Sequence, residues 1–346
     1  MRQLTYVKED RVEWWDVPAP VIQDARDAII QPLAVTRCDL DLVIAGGKSG
    51  LAGPFALGHE TSGRVVDVGS AVQTFVPGDL VIVPFQISCG ECDRCRRGHT
   101  NACTSVPFRS SFGLKPLCGV EYGGGLSDLL RVPFADNMLV RHPTGHALSQ
   151  TAALADGATD AFVAVTPWLQ ARPGAELLII GGGGQSLGLF SVQIALSRGA
   201  GRVVYLDDSA ERLAHAKSLG AEVYEAPTGL GIEPIGLFPI VIDAGASNAS
   251  LVLAIRSTEP NGVCQRMYGD FVELTPTPLR HMYGVGVTLK ISRVNARAHL
   301  PDSLGHVTAG HWCPECVVTR KVRFEDAAEA IGDPTIRVAF VCDGVD

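Results

Sequence analysis

The sequence predicts an α/β chain in two parts: a β-rich first domain over residues 1–140, then a doubly wound parallel sheet. Three observations carry this. Short apolar, β-branched runs separated by turn residues crowd the first part, where helical periodicity is scarce. From Glu176 onward apolar strands alternate with helix-length segments, the order that winds helices onto both faces of a parallel sheet. Between a strand and a helix of this second part stands the glycine-rich run 181–188. A chain of 346 residues has room for both domains.

Composition narrows the function classes. Hydrophobic residues at 46% and charged residues at 19% describe a folded globular chain. A formal net charge of -8, with no dense basic stripe, argues against a nucleic-acid partner. No apolar run approaches the roughly 18 residues of a membrane span. Met1 to Asp16 is polar and mixed in charge, unlike a secretory signal, so the expected compartment is the cytoplasm. In that compartment ten cysteines point to reduced thiols and metal ligation more than to a disulfide framework.

The elements follow in order. Residues 27–35, 63–69 and 76–83 read as strands, the last fed by the turn Pro77-Gly78-Asp79. Ala152 through Val165 is alanine-rich and helix-like, reaching Pro167. Leu177 to Ile180 is a buried strand, and Leu189 to Ser197 is a helix. Arg202 to Leu206 is the next strand, and the helix from Ala210 to Leu219 ends at Gly220, a C-capping residue. Further strands begin at Pro239 and Asn261, and one more helix spans Phe324 to Ile331.

Three motifs carry chemistry. In Gly58-His59-Glu60-Thr61-Ser62-Gly63 the glycines permit a tight turn and a close backbone approach, placing an imidazole where a bound species can be held. Cys89, Cys92, Cys95 and Cys103 offer four thiolates within one short loop, the composition of a closed structural zinc site. An iron–sulfur cluster uses comparable spacing. Cys313 and Cys316 share metal-like spacing but form a lone pair, read as structural or incidental.

The glycine-rich run, with Gly182, Gly184, Gln185, Ser186, Leu187 and Gly188, has the strand-turn-helix setting of a dinucleotide site, where a helix N-terminus receives a pyrophosphate. Its spacing is one residue longer than the usual pattern. Asp207 ends the next strand, where a carboxylate accepts from a ribose 2′-hydroxyl, and Arg212 follows on the next helix. An acid there, followed by Asp208, favours NAD over NADP.

Taken together, these pieces resemble the zinc-dependent medium-chain alcohol dehydrogenase family over essentially the whole chain. The residues that carry the resemblance are Cys38, Gly58-His59-Glu60-x2-Gly63, Pro77-Gly78-Asp79-Leu80-Val81, the four-cysteine lobe and the glycine-rich turn. The resemblance implies a GroES-like β-barrel catalytic domain over residues 1–157 carrying the lobe at 89–103. It further implies a Rossmann NAD-binding domain over 158–288 and a return to the catalytic domain over 289–346. Two zinc ions per chain follow: a catalytic one on Cys38, His59 and Asp156, and a structural one on the four cysteines. Asp156 stands where the family commonly has Cys and sometimes Asp; a helix-capping carboxylate is the competing role. Glu60 matches a glutamate near the metal, and Asp41 one that fixes the tautomer of the histidine. Arg337 matches a basic residue on the coenzyme pyrophosphate, with a salt bridge as its alternative. Phe85 matches a substrate-pocket aromatic, or else belongs to the core.

One position departs from the family. The Ser or Thr expected two residues after the ligand cysteine, which begins a proton relay, is Leu40. A leucine neither donates nor accepts a proton, and Val43 supplies no relay histidine. The expected activity is NAD-dependent interconversion of an alcohol and an aldehyde or ketone. The alternative is reduction of activated alkenes or iminium ions, and a third reading is a non-catalytic coenzyme-binding protein. The expected partners are a small-molecule substrate and further copies of the chain, as a homodimer or homotetramer.

Overall fold

The computed structural model describes residues 1–226, 233–269 and 274–345. It divides into two compact units, one formed by Met1–Thr159 with Val294–Asp346 and the other by Asp160–Arg293.

The first unit is built on β-structure. The long strand Ala28–Thr36 pairs antiparallel with Glu60–Val68, which pairs in turn with Leu80–Val83. On its other side Ala28–Thr36 pairs with Val338–Val341, a strand from the end of the chain, and beyond that lies Arg320–Arg323. Alternation fails in Ala28–Thr36 because both faces are covered: only Gln31 of its nine residues is exposed. Two glycines show what the motif 58–63 needs. Gly58 has φ of 88°, and a side chain there would meet the Leu126 backbone nitrogen at 2.6 Å. A Cβ at Gly63 would stand 2.4 Å from the Gln31 carbonyl oxygen across the ladder. Larger residues at either place would push apart the strands that hold His59.

The second unit is a six-stranded parallel sheet. Its order is Glu222–Glu225, Arg202–Asp207, Glu176–Ile180, Phe238–Asp243, Thr258–Arg266, Thr288–Ile291. Numbered by sequence this is 3-2-1-4-5-6, the doubly wound order with its switch point beside the first strand. Leu177, Leu178, Ile179 and Ile180 have no exposed surface, as a central parallel strand requires. Helix Leu187–Ser197 is apolar nearly all round and correspondingly buried.

Two element expectations change. The helix expected to reach Pro167 starts at Gly157 and continues through the proline to Ala171. Its predecessor is separate: Leu148–Ala152 is α-helical, Ala153–Ala155 forms a 3-10 turn, and Asp156 breaks the run at φ -150° and ψ -92°. The helix expected over Phe324 to Ile331 begins as a 3-10 turn at Phe324–Asp326 and becomes α-helical over Ala327–Ala330.

Candidate metal centres and coenzyme turn

Cys38, His59 and Asp156 come together. Their ligand atoms all lie within 4.8 Å of one another, although the residues are far apart in sequence. Cys38 caps the helix Asp39–Ala45, and its backbone nitrogen donates to Asp41 Oδ2 at 2.9 Å. His59 enters strand Glu60–Val68 from the turn at Gly58. Asp156 occupies the backbone break between two helices, so its carboxylate is aimed by main-chain geometry. Cys38 Sγ is 3.5 Å from Asp156 Oδ2, and His59 Nε2 is 3.4 Å from the same oxygen.

On the far side His59 Nδ1 faces Asp41 Oδ1 at 3.4 Å. Asp41 therefore braces both the cysteine turn and the imidazole. Phe85 lies beside His59 with ring centroids 5.6 Å apart, and its backbone nitrogen bonds the Ala155 carbonyl. That contact ties strand and turn together next to Asp156.

Buried charge is concentrated here. Burial, and then the charge of Asp156, push the Cys38 thiol up. For His59 burial opposes the imidazolium, but Asp41, Asp156 and Cys38 outweigh it and raise its pKa well above the usual value. Behind the histidine Glu60 Oε2 pairs with the fully buried Arg337 guanidinium and accepts from Thr36 Oγ1, while its Oε1 accepts from the Gly157 backbone nitrogen at 3.0 Å.

Arg337 stands behind this carboxylate. The cation expected on a coenzyme pyrophosphate has no exposed surface and is ion-paired to Glu60, because a carboxylate buried this completely demands a charged partner. Arg37 was not anticipated at all. Its guanidinium is equally buried and donates to the Asp333 and Thr335 carbonyls, binding the cysteine turn to the returning segment. Thr36 was missed as well. Nothing in the local sequence marks either: the partners of Arg37 lie 296 and 298 residues away, and Glu60, which accepts from Thr36, lies 24 residues on in the neighbouring strand.

The second cluster is Cys89, Cys92, Cys95 and Cys103, again with all ligand atoms within 4.8 Å. Backbone nitrogens of Glu91 and Cys92 point at Cys89 Sγ at 3.4 and 3.3 Å, and that of Ser105 at Cys103 Sγ at 3.4 Å. Such N–H donors stabilise thiolates. Asn295 clips the lobe to the returning chain: its Oδ1 accepts from Thr100 Oγ1 at 2.5 Å and the Asn101 nitrogen at 3.1 Å, and its Nδ2 donates to the Gly98 carbonyl.

Both clusters fit zinc on chemical grounds. Both ring nitrogens of His59 and Oδ1 of Asp41 are buried without a hydrogen bond among the described residues, a costly arrangement unless something binds them. A thiol, an imidazole and a carboxylate converging there leave one tetrahedral position open; four thiols leave none.

The glycine-rich run lies between strand Glu176–Ile180 and helix Leu187–Ser197. Gly183 and Gly184 backbone nitrogens bond the Gly245 and Ala244 carbonyls at the end of the neighbouring strand, and helix Leu187–Ser197 begins directly after Ser186. Asp207, expected to accept from a ribose 2′-hydroxyl, accepts from Gly182 N, Tyr205 Oη, Ser209 N and two nitrogens of Arg212. Burial raises its pKa, but the Arg212 and Tyr205 hydrogen bonds outweigh it and hold the carboxyl below the usual range.

Residues 24–144 match the alcohol dehydrogenase GroES-like domain. A medium chain reductase/dehydrogenase of Acremonium sp is 32% identical over 222 residues, covering 62% of this chain and 72% of the relative. The chain belongs to the zinc-dependent medium-chain dehydrogenase family. An alcohol dehydrogenase from Thermus sp. ATN1 superposes on this family member with a TM-score of 0.89 at 28% identity, covering 99% of this chain and 100% of that one. A glutathione-independent formaldehyde dehydrogenase of Pseudomonas aeruginosa is 32% identical over 236 residues, 64% of this chain. The match spans only 58% of that dehydrogenase's length. The first unit thus carries the family's GroES-like domain and the second its Rossmann fold.

Proposed function

We propose that the chain is a zinc-dependent NAD(H) oxidoreductase interconverting an alcohol with an aldehyde or ketone. The observation that carries this reading is the convergence of Cys38, His59 and Asp156 around one buried point with both imidazole nitrogens free of hydrogen bonds. Cys38, His59 and Asp156 would hold zinc, which would supply Lewis acidity toward a substrate oxygen. Asp41 fixes the His59 ring so that Nε2 faces the metal side. Phe85 packs beside the imidazole. Glu60 and Arg337 neutralise one another behind it, so the ligand set sits on a balanced support. The turn 181–188 and the helix after it would receive the dinucleotide. Arg212 pairs with Asp207 and with the exposed Asp208. The two aspartates against one arginine still favour NAD.

Zinc analysis combined with a coenzyme-linked screen tests this. The native chain is expected to hold two zinc ions and to turn over alcohols or aldehydes with NAD. His59→Ala is expected to hold one zinc and to lose turnover; undiminished turnover in that variant would overturn the proposal.

A second reading rests on Leu40, which packs against the core of the first unit in place of a hydroxyl. No proton moves through it, which suits reduction of an activated alkene or iminium ion. Leu40→Ser separates the two, because a gain in alcohol oxidation identifies the hydroxyl as the missing part.

A further inference from the structure

The pair Cys313 and Cys316 takes no part in either metal cluster. Cys313 caps the 3-10 turn Pro314–Val317, and the Cys316 backbone nitrogen donates to the Cys313 carbonyl at 3.1 Å. An i to i+3 hydrogen bond of this kind brings the two Cα atoms within about 7 Å, inside the range from which a disulfide closes without moving the backbone. Cys316 is exposed and Cys313 half-buried, both as thiols. Pro314 and Val317 are buried and hold the turn from beneath.

The turn is also wired to the mixed metal cluster. Glu315, between the cysteines, accepts from Ser149 Oγ at 3.3 Å and pairs with Lys321 Nζ at 2.6 Å. Ser149 lies in the helix Leu148–Ala152, which runs through Ala153–Ala155 directly into Asp156.

We propose that Cys313 and Cys316 form a reversible dithiol–disulfide site whose oxidation is felt by the segment that presents Asp156. The oxidant is a small-molecule disulfide. One cysteine thiolate attacks a sulfur of that disulfide, breaking its S–S bond and expelling one thiolate. The second cysteine attacks the mixed disulfide so formed, closing the protein S–S bond and releasing the second thiolate. Two protein thiols are oxidised, two small thiols are produced, and the two protons pass to them. The disulfide itself stands on the geometry of the turn alone; its bearing on Asp156 rests on the metal-site reading above.

The zinc-loaded full chain is equilibrated in glutathione buffers of increasing oxidised fraction, quenched, alkylated and mapped by peptide mass. The expected result is an internally linked 313–316 peptide that forms before any zinc-cluster cysteine oxidises and reverts with reduced glutathione. Cys313→Ser and Cys316→Ser are each expected to give only a glutathione adduct on the remaining cysteine. Hydrogen exchange across residues 148–157 is expected to differ between the oxidised and reduced chain. Glutathione adducts without a linked peptide in the native chain would overturn the site. So would a third zinc ion that either serine variant abolishes, because the thiols would then be a metal site. Unchanged exchange over 148–157 in the linked chain would overturn the connection to Asp156. None of these readouts uses turnover, so failure of the proposed activity leaves them standing.

Discussion

Cys38, His59 and Asp156 on one side, and the four-cysteine lobe on the other, present the same kind of convergence by opposite means. The lobe draws all its ligands from fifteen consecutive residues and steadies them with local N–H groups, so its shape follows from spacing. The mixed cluster gathers three different ligand types from a cysteine turn, a strand entry and a helix break, and steadies them with buried ion pairs that reach the end of the chain. A local cluster needs its metal to be a structure; a dispersed one needs the structure to be a cluster. Four measurements press on this contrast.

The largest effect is expected in the lobe. Structural zinc in small domains is bound with apparent free energies on the order of 10–16 kcal/mol, and the lobe has little apolar packing besides its own cysteines. Cys95→Ser is expected to lose one zinc and to open residues 89–103 to proteolysis, leaving the other zinc in place. Retention of two zinc ions would break the contrast.

Next comes the support of the mixed cluster. Arg337→Met leaves Glu60 as a buried charge without its cation, a change that costs about 3–5 kcal/mol. Denaturant unfolding should show that loss, and Arg337→Met combined with Glu60→Leu should recover most of it. A single variant as stable as the native chain would remove the ion pair from the account.

A smaller effect belongs to Asp41. Replacing residues that orient a metal-bound histidine weakens metal binding by about 10–100-fold. Asp41→Asn is expected to fall in that range in a chelator competition that reads the mixed site, with no change at the lobe.

These three tests also show how much was legible beforehand. Four cysteines at short spacing declare a lobe because every ligand is local. Gly58 and Gly63 announce a tight approach, and the positive φ and the crowded ladder are what they allow. The parallel sheet was legible from its apolar strands. Arg337 and Asp207 were legible only as types of residue. Each stands close to its assigned position, but which partner a charge finds depends on strands brought together by folding. Glu60 claims Arg337 across 277 residues, and Arg212 reaches Asp207 only once its helix has packed back on the strand.

The smallest effect separates Asp207 from Asp156. Asp156 faces Cys38 and His59, whereas Asp207 is saturated by donors. A carboxyl held below its unfolded value of about 3.9 contributes stability that is present above about pH 4 and lost as acid titration passes through the lower folded value. Urea midpoints measured from pH 5 downward should fall in the native chain and fall less steeply in Arg212→Met.

The ladder between Val338–Val341 and Ala28–Thr36 has a consequence for protein engineering. The GroES-like unit is a host interrupted by a guest: residues 160–293 are inserted into it, and its closing strand, the partner of Glu60 and the clip on the cysteine lobe all arrive after the guest. Cutting the chain at the boundary, within the first turn of helix Gly157–Ala171, would leave the host with an open sheet edge and an orphaned acid. The segment to graft with residues 1–159 is therefore 294–346, joined by a linker where the guest was.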